Sequence, residues 1–230
     1  GNGGGLTVKT FIEGPDFWFT LGDEDFTGDE VWFTSLAFSP SGDIYVAFID
    51  DEFGEVSVAS FDWEDEEWFP VGGPNISGES WFTSLAISPD GDPYVAFCDD
   101  EENGDGKVTV MGLVGDFWGT IGTDGFSAGA AAFPSLRFSS NGDPYVAYLD
   151  VANGFRATVM GFDGSNWVTK GSAGFSKGEA YVTSLAISST DDFYVAYVDE
   201  GNNFGATVMG IDNSCISNTT ALTVTESGTY

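Results

Sequence analysis

Residues 34–50 read TSLAFSPSGDIYVAFID, and the string returns as TSLAISPDGDPYVAFCD at 83–99, PSLRFSSNGDPYVAYLD at 134–150 and TSLAISSTDDFYVAYVD at 183–199. The copies start 49, 51 and 49 residues apart, and self-similarity at a fixed period of this size marks a repeat architecture. Each copy holds two short runs rich in β-branched and aromatic residues around a turn-forming centre, which is the pattern of an antiparallel hairpin. Gly42-Asp43, Gly91-Asp92 and Gly142-Asp143 put glycine where such a turn needs a positive φ. The run Tyr45-Val46-Ala47-Phe48-Ile49 is almost wholly apolar, as suits a strand buried on both faces.

Working outward, each hairpin is followed by a third block, EVSVASFD from Glu55, KVTVMGLV from Lys107, RATVMGFD from Arg156 and GATVMGID from Gly205. A fourth block carries Trp68, Trp118 and Trp167. Four strands per unit of about 50 residues, with no helical period over any long stretch, predict an all-β fold: a β-propeller of four-stranded blades, four to five in number. The Thr-Ser-Leu strand is expected innermost and the Trp strand outermost.

The ends are out of phase with the repeat. Residues 6–21 match the third and fourth blocks, with Trp18 in the tryptophan place, while the last unit stops after its third strand near Asp212. The expected propeller spans 1–212, with a partial blade at 6–21, blades at 33–70, 82–122 and 133–171, and a partial blade at 182–212. Two closures fit: the Trp18 strand completes the last blade of a four-bladed ring, or 6–21 is half of a fifth blade whose inner strands come from a neighbouring subunit or from chain outside this sequence. Residues 213–230 carry no repeat motif and read as a tail, a linker or a donated strand over 221–226. Open strand edges attract other chains, so self-association into an oligomer or filament by strand complementation is expected.

Composition narrows the chemistry. The 230 residues hold 37 Asp and Glu against 6 Lys and Arg, a formal charge of -31, and no His. Nucleic acid is excluded as a partner because phosphate contacts need cations, and anionic membrane surfaces are disfavoured for the same reason. No apolar run is long enough for a membrane-spanning helix, so no membrane insertion is expected. A Ser-His-Asp relay and His-bearing metal sites are impossible without imidazole. Such a charge suits a saline or calcium-containing exterior, where ions screen self-repulsion.

The runs YVAYLD at 145–150, ATVMGFDGSNWV at 157–168 and GFSKGEA at 174–180 resemble tandem propeller repeats of large secreted and surface proteins of bacteria, of the Bacteroidetes type. The likeness covers about residues 6–212. The tail TALTVTESGTY looks like the opening of modules that such proteins place before a type IX secretion sorting domain. The resemblance implies an extracellular or cell-surface protein whose propellers are structural or adhesive, and it implies no catalytic residue.

Asp50, Asp99, Asp150 and Asp199 close the second strand in all four units. Converging on an axis they would call for Ca²⁺, with its oxygen ligands; separately they would cap turns. The acidic runs Asp50-Asp51-Glu52, Glu64-Asp65-Glu66-Glu67 and Asp99-Asp100-Glu101-Glu102 lack the spacing of a calcium loop. Paired carboxylates also serve glycoside hydrolysis. Trp18, Trp68, Trp118 and Trp167, with Trp32, Trp81 and Tyr181 ahead of the first strands, either stack on sugars or pack between blades. Cys98 stands where the other units have Ile49, Leu149 and Val198, so it reads as an apolar filler, and Cys215 lies in the tail. Asn75 and Asn218 open glycosylation sequons. The resulting expectation is a non-catalytic, extracellular structural or adhesive module with no certain cofactor. A carbohydrate-binding lectin is the alternative, and a carboxylate glycosidase the third reading.

Overall fold

The computed structural model describes residues 4–14, 16–50, 52, 54–100, 106–211 and 222–223. The chain is an all-β propeller. Strands β3 (Val31–Phe38), β4 (Ile44–Asp50), β5 (Val56–Asp62) and β6 (Glu67–Pro70) form the first complete blade in that order. Strands β7 (Ser80–Ile87), β8 (Pro93–Asp99), β9 (Lys107–Val114) and β10 (Phe117–Thr120) form the second. The third is β11 (Ala131–Phe138), β12 (Pro144–Asp150), β13 (Arg156–Phe162) and β14 (Trp167–Thr169), and the fourth begins with β15 (Ala180–Ile187), β16 (Phe193–Asp199) and β17 (Gly205–Ile211). All pairings are antiparallel, with the Thr-Ser-Leu strand at one edge, as its sequence position implies.

The ends resolve the two closures. Strands β1 (Val8–Ile12) and β2 (Phe17–Leu21) pair with each other in a sheet of their own, so residues 6–21 form half a blade. The Trp18 strand therefore does not complete the last blade. That place belongs to β18 (Leu222–Thr223), which pairs with β17 through Met209↔Thr223 and Gly210↔Leu222. Of the strand expected over 221–226, the described residues Leu222 and Thr223 lie in the outer strand of the chain's own fourth blade, and the others fall outside the described residues.

The core lies between blades. Ala47, Ile49, Val56 and Val58 of the first blade pack against Leu85, Val95 and Phe97 of the second. Cys98, Val108 and Val110 pack against Leu136, Val146 and Tyr148 of the third, and Ala157 and Val159 against Leu185 and Val195 of the fourth. The second strands of the first three complete blades are buried on both faces for this reason, whereas β16 of the fourth alternates, with Tyr194 exposed. Cys98 is buried as a filler, and burial pushes its thiol up to about 12. Cys215 lies outside the described residues.

Three polar links, repeated from blade to blade, fix the register between sheets. The backbone N–H of Leu85 donates to Ser35 Oγ (2.9 Å), that of Leu136 to Ser84 Oγ (3.0 Å) and that of Leu185 to Ser135 Oγ (2.9 Å). The hydroxyls of Thr83 and Thr183 donate to the carbonyls of Phe33 and Phe133; Pro134 breaks the series in the third blade. In the outer strands Trp68, Trp118 and Trp167 donate Nε1–H to the carbonyls of Leu21, Val71 and Ile121 of the preceding blade, at 2.9, 2.7 and 2.8 Å. Gly72 follows Val71 with φ +68°, and a Cβ there would lie 2.6 Å from the Trp118 ring, so only glycine fits.

Candidate functional site

Each innermost strand carries a bulge that its sequence did not reveal. Register breaks between Trp32 and Ser35, Trp81 and Ser84, Ala132 and Ser135, and Tyr181 and Ser184. At each bulge one bulky residue takes a left-handed conformation: Phe33 (φ +50°), Phe82 (+58°), Phe133 (+51°) and Val182 (+52°). A bulge re-aims the side chains beside it, and strain of this kind in a non-glycine residue gathers at functional rims. Here it builds a ladder of rings, Phe33 to Phe82 at 4.7 Å and Phe82 to Phe133 at 4.5 Å between centroids. Two consecutive apolar residues before every Thr-Ser-Leu were the available signal, since regular alternation would put one of them in solvent.

The preceding residue is turned to the rim. Trp32 and Trp81 are 49% and 47% exposed and flank one cleft of about 520 Å³ between the first and second complete blades. Asp50, Glu52, Glu79 and Ser80 supply its polar groups, and Ile49 and Phe33 also line it. The Trp81 indole is held by a hydrogen bond from Nε1 to Asp100 Oδ2 (3.0 Å), and Phe33 meets it edge-on at 6.2 Å. The corresponding place is Ala132 in the third blade and Tyr181 in the fourth, where the Tyr181 hydroxyl donates to Glu179. Two tryptophans thus face one cleft only where the repeat keeps Trp in adjacent units.

The other sequence candidates divide. Trp68, Trp118 and Trp167 are packing residues between blades, whereas Trp18 is 67% exposed on the half-blade. Asp50, Asp99, Asp150 and Asp199 each sit at the end of a second strand on the same rim, one per blade. Asp50 Oδ1 accepts from the Glu52 N–H. The hydroxyls of Thr109 and Thr158 donate to Asp99 and Asp150 while accepting from the N–H groups of Gly125 and Gly174, which ties the interblade linkers to the carboxylates. Asp199 accepts from the N–H groups of Gly178 and Gly201. These acids act as turn and linker caps, and among the described residues no three His, Cys, Asp or Glu side chains come together to hold a metal. Asp51, Glu101 and Glu102 lie outside the described residues. Asn75 is exposed on the loop after β6, its N–H bonded to Ser57 Oγ, and Asn218 lies outside the described residues.

No protein-family model matches the chain, and no curated sequence matches it significantly. Solved structures do. The six-bladed fungal lectin of Aleuria aurantia, described with a fucose recognition mode, aligns over 97% of this chain and 70% of its own at TM-score 0.64 and 12% identity. The chain has the fold of propeller lectins and glycosidases. An α-L-arabinanase of Penicillium chrysogenum, solved with arabinobiose, aligns over 86% of this chain and 67% of its own at TM-score 0.59 and 12% identity. An endo-1,4-β-xylanase of Bacteroides thetaiotaomicron covers 97% of this chain and 87% of its own at TM-score 0.54 and 14% identity. At these identities the likeness is one of fold.

Proposed function

We propose that the protein is a non-catalytic carbohydrate-binding propeller, serving as an adhesive module of a secreted or surface protein. The observation that carries this reading is the cleft in which Trp32 and Trp81 stand on adjacent blades above Asp50, Glu52 and Glu79. Sugar rings present flat C–H faces and outward hydroxyls. Indoles stack on the first and carboxylates accept from the second, the division of labour of a small-molecule site with few polar groups among aromatic walls. The cleft has the volume of such sites, about 300–1,000 Å³. The lectin and glycosidase neighbours support a sugar ligand, and the use of the repeated aspartates as caps supports binding without turnover.

A glycan array read by fluorescence, followed by mass spectrometry of the bound glycans, tests the proposal. Wild-type protein binds a defined set of glycans and returns them uncleaved. Trp32→Ala and Trp81→Ala each lose about ten-fold or more in affinity, as truncation of an aromatic anchor does. Absence of any binding, or binding that both variants retain, contradicts it, and release of hydrolysed product moves the protein to the glycosidase class.

A further inference from the structure

The cleft between the first and second complete blades does not end at its tryptophans. Glu79, which lines it, also lines a second cavity of about 720 Å³, whose other carboxylates are Asp99, Asp100 and Asp124. Glu79 is fixed at this junction from both blades. It forms a β-bridge with Glu55 of the first, and its carbonyl accepts from the Asp100 N–H of the second at 2.8 Å. Asp100 lines the second cavity and also holds the Trp81 indole of the first. Each cavity alone has the volume of a small-molecule site, about 300–1,000 Å³, so the two together have room for a chain of several sugars.

The lining is one-sided in charge. Six carboxylates, those of Asp50, Glu52, Glu79, Asp99, Asp100 and Asp124, line the two cavities, and among the described residues no Lys or Arg does. An anionic ligand would bring like charge to a place with no cation to offset it, which selects against it. A ligand bearing ammonium groups gains twice, from the carboxylates and from the indole faces of Trp32 and Trp81, since an aromatic face attracts a cation. A sugar with hydroxyls alone leaves that field unused.

We infer that the two cavities form one groove for an extended chain of amino sugars with unacetylated amines, its ring faces on the indoles and its ammonium groups on the carboxylates. This rests on the reading of the tryptophan cleft as a glycan site and narrows that reading to a ligand class. The indoles set the groove apart from the general attraction of a chain of charge -31 for polycations. That attraction is long-ranged, screened by salt and indifferent to shape, whereas stacking needs a ring face in contact with the indole.

The test is calorimetric titration of the full chain, in weakly acidic buffer that keeps sugar amines protonated and at about 0.15 M salt, where charges beyond about 8 Å are screened. The probes are the hexamers of glucosamine, N-acetylglucosamine and galacturonic acid, with hexalysine as a cation that has no sugar ring. The glucosamine hexamer should bind at least about ten-fold tighter than the N-acetylated one, and the galacturonic acid hexamer should not bind. Trp81→Ala should weaken the glucosamine hexamer about ten-fold, and Asp124→Asn, shown folded by circular dichroism, about five-fold. The double variant Glu64→Gln/Glu67→Gln, on the exposed β5–β6 hairpin, should leave its affinity unchanged. Equal or tighter binding of the N-acetylated hexamer, or any binding of the galacturonic acid hexamer, overturns the inference while the glycan site stands. Glucosamine binding that Asp124→Asn does not change overturns it too, because the ligand is then confined to the first cleft. Hexalysine binding as tight as that of the glucosamine hexamer, or binding that every variant retains, overturns it by reducing the effect to bulk charge. Failure of every sugar, here and on the array, overturns the glycan reading itself.

Discussion

The indole of Trp167 performs two tasks that Trp18 does not. It fills the wedge between two blades, stacked on Phe126 at 4.3 Å, and its N–H satisfies the Ile121 carbonyl. Trp167→Ala leaves both a cavity and an unpaired carbonyl, and should cost about 3–5 kcal/mol in a urea titration. Trp18→Ala, on the exposed half-blade, should change stability by no more than about 0.5 kcal/mol. Cys98 and Tyr197, together with the buried Tyr148 phenol that burial also pushes up, make stability sensitive to alkali. Burial raises Cys98 and Tyr197 to about 12, from ordinary values of 9.0 and 10.0. Because the folded chain favours the neutral forms, their contribution is whole below the unfolded values and is lost as pH rises toward 12. Denaturation followed from pH 8 upward should show stability falling above about pH 9, less steeply in Cys98→Val, which keeps the volume without the thiol. The sequence made this filler legible, since Cys98 alone interrupts a column of Ile, Leu and Val.

At the scale of elements, the repeat string announced the strands and their order, because period-two patterning and glycine turns are local properties. The bulges left only a faint trace, two consecutive apolar residues ahead of the Thr-Ser-Leu strand, which breaks the alternation without saying which of the two turns left-handed. Val182 ends the ring ladder, 60% exposed and β-branched at φ +52°. A left-handed conformation costs a side-chain-bearing residue about 1–2 kcal/mol, so Val182→Gly should be neutral or stabilising by up to about that amount in thermal melts. Phe82→Gly should destabilise, because it removes a ring packed on both Phe33 and Phe133. The candidate site followed the same division: Trp32 and Trp81 could be singled out from sequence, but their convergence on one cleft depends on the bulge. Repetition offered the four aspartates as ligands on the premise that they converge; among the described residues each accepts hydrogen bonds from turn, hydroxyl or linker groups near its own strand end.

For the whole molecule, a formal charge of -31 is held by a fold whose described residues show one ion pair, Lys9 to Glu24 at 3.6 Å, on the surface. Self-repulsion among carboxylates is therefore balanced by solvent and salt, and screening shortens its reach from about 30 Å at 0.01 M to about 10 Å at 0.1 M ionic strength. Thermal melts in rising sodium chloride should give a rising midpoint over that range. A flat or falling midpoint would mean that the charges are spaced too widely to repel. The architecture itself is a directional series in which every complete blade after the first closes its donors on the one before. Hydrogen exchange at four equivalent amides tests this most directly. Leu85, Leu136 and Leu185 should exchange slowly, and Leu36 at least about ten-fold faster, the difference expected when a buried bond is replaced by solvent. Exchange at Leu36 as slow as at the other three would contradict the account.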